Sequence, residues 1–154
     1  MVFKPNTDNE LKMAVDIWCI NKEKALKEYG EINTWNTINI KSMVYLFEIN
    51  FNDDVSNWNT ANVTNAICTF YKCKEFNHPL NNWDTSNITD MSSMFYGCEK
   101  FNQDLDNWNL KNLKQCNKMF HGCNSYSYPL FSWTDYDIIM NTQIFDRAIN
   151  KKIV

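Results

Sequence analysis

The sequence predicts an α/β repeat solenoid. It reads as a right-handed coil of about five 25-residue units, each a short parallel strand plus a short helix, with a helical N-terminal cap. Three observations carry this. Tryptophans at 35, 58, 83, 108 and 133 are separated by steps of 23, 25, 25 and 25 residues. Four further apolar columns keep the same register: Ile32, Val55, Leu80, Leu105 and Leu130 before the Trp; Ile40, Val63, Ile88, Leu113 and Ile138 after it; then Phe47, Phe70, Phe95, Phe120 and Phe145; then Phe76, Phe101 and Tyr126, with Phe51 in a first unit shortened by two residues. Residues 8–30 lack the repeat and show helical apolar spacing instead.

A unit of this size cannot bury a Trp, two aliphatics and two aromatics alone, so neighbours must stack and turn each column into a continuous ridge. At a parallel-strand spacing of about 4.8 Å, five coils make a rod on the order of 25 Å long whose ends need covering.

The elements follow in order. Residues 1–31 form the cap: a helix starting at Asp8-Asn9-Glu10, with Leu11, Ala14, Val15 and Trp18 on one face, then a second from Lys22 to Tyr29 ending at Gly30. Residues 32–133 form the solenoid. In each unit a short strand (Leu80 to Thr85) precedes a turn and a two-turn helix (Asn87 to Gly97), with Thr89 as N-cap, Asp90 in the first turn, Gly97 at the end, and Ile88, Met91, Met94 and Phe95 on one face. Residues 134–154 hold a divergent last repeat and a closing amphipathic helix from Asp137 to Lys152, the whole being one single domain.

Composition excludes several classes. The 154 residues are 44% hydrophobic and 15% aromatic, too apolar for disorder. No stretch approaches the roughly 18 apolar residues of a membrane span. The first residues, Met1 to Asp8, lack the apolar core of a signal peptide, so host cytoplasm or virion is the expected location. A net charge of −3 gives no general attraction to nucleic acid or anionic membrane, and neither is expected as a partner. The 24 Asn and 14 Lys against a single Arg147 point to an AT-rich genome.

The units resemble the BspA-type leucine-rich repeats, whose typical unit reads Phe-Asn-x-x-Leu-x-x-Trp-Asp-x-Ser-x-Val-Thr-x-Met-x-x-Met-Phe. The segments Phe76 to Cys98 and Phe101 to Cys123 carry the likeness, and Trp83 to Phe95 is nearly letter for letter. Ala66 and Cys116 stand where Met is usual. The resemblance implies a leucine-rich-repeat-like fold and a non-enzymatic interaction scaffold, of a kind found in bacterial surface lipoproteins, protists and large DNA viruses.

A search for chemistry favours structural roles. Cys73, Cys98 and Cys123 share one repeat column and read as buried thiols, because their parallel Cβ vectors suit a disulfide poorly. Cys116, His121 and Cys123 lack zinc-ligand spacing, and neither His121 nor His78 has a catalytic context. The glycines Gly30, Gly97 and Gly122 are too dispersed for a phosphate loop. No catalytic residue, cofactor or metal is expected. The Asn columns Asn39, Asn62, Asn87, Asn112 and Asn52, Asn77, Asn102 read as ladders that bind turn backbone from coil to coil, and the sequons at Asn62 and Asn87 arise from the same consensus.

The candidate partner-binding face comprises outward positions beside the tryptophans, Asn57, Asn59, Asn82, Asp84, Asn107 and Asn109, with the turn aromatics Tyr71, Tyr96 and Tyr126, and Tyr128 nearby. The expected partner is a host or viral protein. The alternatives are a virion-associated protein that self-associates through its solenoid end, and a cell-surface adhesin.

Overall fold

Helix α1 spans Asp8–Ile20 in the computed structural model, which describes residues 2–133 and 144. The Thr7 hydroxyl accepts from the Glu10 N–H at 3.1 Å, and Asp8 and Glu10 place negative charge on the first turn. Its buried face is Leu11, Ala14, Val15 and Trp18, as the spacing predicts. Asn21 then serves two helices: its N–H donates to the Ile17 carbonyl at 2.7 Å, and its side chain accepts from the Lys24 N–H at 3.0 Å. Helix α2 runs Lys22–Tyr29 and stops at Gly30, whose φ of +74° an L side chain rarely adopts.

Beyond a single 3₁₀ turn at Ile32–Thr34, the described chain is mostly irregular: turns, no further helix, and three isolated parallel bridges, Ser42 to Asn65, Asn65 to Asp90 and Asp90 to Gln115. The predicted unit of strand plus helix is therefore corrected on both counts. Leu80 to Thr85 is not a strand, because Trp83 N–H closes a turn on the Leu80 carbonyl and Ile88 N–H closes another on Thr85. The bridge falls seven residues after the Trp instead.

Asn87 to Gly97 is not a helix either. Alternate N–H groups leave the segment: Met91, Ser93, Phe95 and Gly97 donate to the carbonyls of Gln115, Asn117, Met119 and His121. The intervening Met94, Tyr96 and Cys98 donate three residues back. Left-handed φ values at Ser93 (+56°) and Gly97 (+71°) break any α-helical run. The same comb joins Ala66, Cys68, Phe70 and Lys72 to Asp90, Ser92, Met94 and Tyr96, and joins Met43, Tyr45 and Phe47 to Asn65, Ile67 and Thr69.

The repeat columns meet in one buried aromatic cluster. Phe47, Phe70, Phe95 and Phe120 follow one another at centroid distances of 4.8, 5.5 and 5.6 Å, and Phe51, Phe76, Phe101 and Tyr126 at 6.1, 6.0 and 6.0 Å. Trp35 stacks on Trp58 at 6.1 Å, and Trp18 from α1 meets Trp35 edge-on at 5.8 Å. Offset and edge contacts of this kind add to simple area burial.

Helix α1 also finishes the backbone edge of the Trp35 segment. The Asp8 carboxylate accepts from the N–H groups of Lys41 (2.8 Å) and Ser42 (3.2 Å). One turn on, Lys12 Nζ donates to the Leu46 carbonyl at 3.2 Å. At the other end, the Ile144 carbonyl accepts from Phe120 N–H and its side chain is buried. Ile138, Phe145 and the Asp137 to Lys152 helix lie outside the described residues.

Candidate functional site

The turns beside the tryptophans are built by their own side chains. Asn36, Asn59, Asp84 and Asn109, each one residue after a Trp, accept from the N–H two residues on at 3.2, 3.1, 2.9 and 3.1 Å. Hydrogen bonds from Ser86 hold the Asp84 carboxyl below its ordinary value. Asn59, Asp84 and Asn109 are thus exposed and also hold their turns. Asn57, Asn82 and Asn107, on the other side of the Trp, are exposed as well, and Asn107 donates to the Asn81 carbonyl at 2.8 Å. These six positions repeat in register and lie on one segment of successive units.

The aromatics divide. Tyr71 and Tyr96 are half-buried and stack at 5.1 Å, in a row that Tyr45 begins edge-on (5.9 Å to Tyr71) and His121 continues at 4.6 Å from Tyr96. Lys72 Nζ lies 5.2 Å from the centre of the Tyr71 ring. Tyr126 corrects the expectation: it is 5% exposed and sits against Phe120 at 4.6 Å, because its position in the repeat is that of Phe76 and Phe101. Tyr128, two residues on, is exposed.

Groups that could have carried chemistry are engaged with backbone. Asn62, Asn87 and Asn112 donate from Nδ2 to the carbonyls of Ile38, Ala61 and Ser86 at 2.7, 2.8 and 2.7 Å. In both sequons this is the nitrogen that a glycan would occupy. Cys73, Cys98 and Cys123 are buried and donate from Sγ to Glu48, Phe70 and Phe95 carbonyls at 3.3, 2.9 and 2.9 Å. Burial pushes the Cys73 thiol up to about 12 and raises that of Cys98 too. His78 has a ring nitrogen 3.1 Å from the Asn52 carbonyl. Among the described residues no three His, Cys, Asp or Glu side chains gather in a way that could hold a metal ion, and no helix is long and apolar enough to cross a membrane.

Sequence reasoning missed one column. Thr37, Thr60 and Thr85, two residues after their tryptophans, are buried and donate to the Asn59, Asp84 and Asn109 carbonyls at 2.9, 3.0 and 3.1 Å. Their periodic spacing was the available signal. Leu110 interrupts the column.

The chain therefore presents an aromatic core, two N-terminal helices and a periodic polar surface. It belongs to the family described as Mycoplasma protein of unknown function, DUF285, which matches residues 18–151. No curated protein and no solved structure matches it.

Proposed function

We propose that the chain is a non-enzymatic protein-interaction scaffold, organised as a leucine-rich-repeat-like solenoid with α1 and α2 as its N-terminal cap. The observation that carries this is where the polar groups go. The side chains of Asn62, Asn87, Asn112, Thr60, Thr85, Cys73 and Cys98 are committed to neighbouring backbone 24 to 28 residues away in sequence, as rungs of a stacked coil would be. What stays exposed at each step is a pair of polar residues beside the Trp, one of which also holds its turn, and one edge of the tyrosine row. A repeated, rigidly held surface of this kind suits an extended partner. Occupation of the first backbone edge by Asp8 and Lys12 speaks against stacking through that end.

Capture from native extract of the producing cell tests the reading. The baits are the wild-type chain and a variant with Asn57→Ala, Asn82→Ala and Tyr96→Ala, which leaves the turn-building Asn59, Asp84 and Asn109 in place. A partner retained by the first and lost by the second is expected. Recovery of the chain alone, unchanged by the substitutions, would overturn it.

A further inference from the structure

The shortened first unit opens a notch. Only Glu48, Ile49 and Asn50 separate Phe47 from Phe51, where five residues separate Phe70 from Phe76 and Phe95 from Phe101. The turn bonds locate the missing pair. Phe51 N–H donates to the Glu48 carbonyl as Phe76 N–H donates to Cys73, so Glu48 stands in the place of Cys73. The absent residues are then the counterparts of Tyr71 and Lys72. The first unit joins the row of Tyr71, Tyr96 and His121 through Tyr45 instead, two residues before Phe47, which meets Tyr71 edge-on and leaves the place after Phe47 unfilled.

Two adjoining hollows occupy this place. Asp16, Cys19, Ile20, Glu48, Ile49 and Asn50 line one. The other shares Ile49 and Asn50 and adds Lys72, Lys74 and Glu75. The apolar side chains are presented to solvent: Ile20 is 84% exposed and Ile49 57%. Charge is divided between the two hollows. Asp16 and Glu48 share one ammonium, Lys12, at 2.7 and 3.4 Å, which leaves the first hollow net negative. Two lysines against Glu75 make the lining of the second net positive. Lys74 reaches Glu99 at 3.0 Å, but that pair is exposed on both sides and readily exchanged.

We propose that this notch docks an extended peptide segment of a partner protein, one that carries basic, apolar and acidic residues in that order along the notch. The basic residue meets Asp16 and Glu48, the apolar one covers Ile20 and Ile49, and the acidic one meets Lys72 and Lys74. The inference rests on the reading of the chain as an interaction scaffold, but it places a contact away from the residues beside the tryptophans.

The test uses the full chain and fluorescence anisotropy with a labelled peptide of two arginines, a leucine–isoleucine pair and two glutamates. Controls carry glutamate on both flanks, or two serines in place of the apolar pair. Saturable binding of the first peptide and much weaker binding of both controls is expected. Ile20→Glu and Ile49→Glu, at exposed positions that leave the fold intact, should each weaken it about tenfold. Inserting Tyr-Gly between Phe47 and Glu48, which restores the full-length unit, should abolish it.

Equal binding of the doubly acidic peptide, or no binding of any peptide, overturns the notch. Binding that survives Ile20→Glu but is lost in the Asn57, Asn82 and Tyr96 variant also overturns it, while leaving the scaffold reading standing. Self-association of the chain that Ile20→Glu relieves would assign the notch to a second copy and overturn the peptide proposal.

Discussion

Trp83 joins two kinds of bonding in one side chain. Its indole is buried, and Nε1 donates to the Val55 carbonyl at 3.0 Å, an oxygen that Trp58 N–H also reaches at 3.1 Å. Trp108 and Trp133 repeat the arrangement on Leu80 and Leu105 at 3.0 and 3.1 Å. Trp83→Phe should therefore cost about 1–2 kcal/mol for the lost bond and volume, and Trp83→Ala about 3–5 kcal/mol. Urea denaturation separates the two; equal costs would mean that the indole N–H contributes nothing. At this scale the apolar columns were legible because burial selects residue type directly. The Thr37, Thr60 and Thr85 bonds were not, because their acceptors are backbone carbonyls that only stacking brings near. Tyr126 carried two readings, a member of the Phe76 and Phe101 column and a turn aromatic of the partner-binding face, and its burial keeps the first and removes the second.

Among the elements, the start of α1 and both ends of α2 were readable, since Gly30 punctuates α2 and the apolar spacing of α1 fits a single buried face, whereas the end of α1 at Ile20 depends on the two-sided hydrogen bonding of Asn21. The helix expected over Asn87 to Gly97 failed for a physical reason. Ile88, Met91, Met94 and Phe95 fit helical spacing, but a chain that turns back every three residues buries the same positions, and spacing alone does not separate the two. Equally hidden was the second task of α1, because the groups that Asp8 and Lys12 satisfy lie more than thirty residues away. Those two side chains, four apart on one helix face, give a carboxylate to edge N–H groups and an ammonium to an edge carbonyl. Asp8→Ala combined with Lys12→Ala should leave that edge open, and the sedimenting mass should then rise with concentration while the wild type stays constant. A variant that sediments like the wild type would show that the edge is protected by other means.

For the molecule as a whole, the pH dependence of stability has two limbs. Burial works to raise the Asp53 carboxyl, but hydrogen bonds from Lys22 Nζ (2.5 Å) and Trp18 Nε1 (2.9 Å) outweigh it and hold its pKa below 3.8. The folded state thus gains from this group above 3.8 and loses that gain as acid protonates it. Cys73 acts in the opposite sense. Its buried thiol keeps its proton to about 12 against 9.0 when exposed, so its contribution is whole below pH 9.0 and is lost between there and pH 12. Melting temperature should be flat in between, with Asp53→Asn softening the acid limb and Cys73→Ala the alkaline one; limbs unchanged in these variants would assign the titration to other groups. The repeat order was plain from the tryptophan steps, while the paths of the backbone bonds depended on left-handed residues such as Tyr45, Cys68 and Ser93, which no side-chain preference announces.

The ring rows have an optical consequence. Indoles about 6 Å apart, as Trp18, Trp35 and Trp58 are, and again Trp108 and Trp133, exchange electronic excitation far faster than they emit. Light absorbed by one of them is soon shared with its neighbours, and it loses polarisation where the rings are crossed, at the 87° step between Trp18 and Trp35, rather than between the nearly parallel Trp35 and Trp58. The intrinsic fluorescence of this protein therefore reports the seating of α1 on the rest of the core, and separation of Trp18 from Trp35 would show as recovered anisotropy before any loss of folded signal.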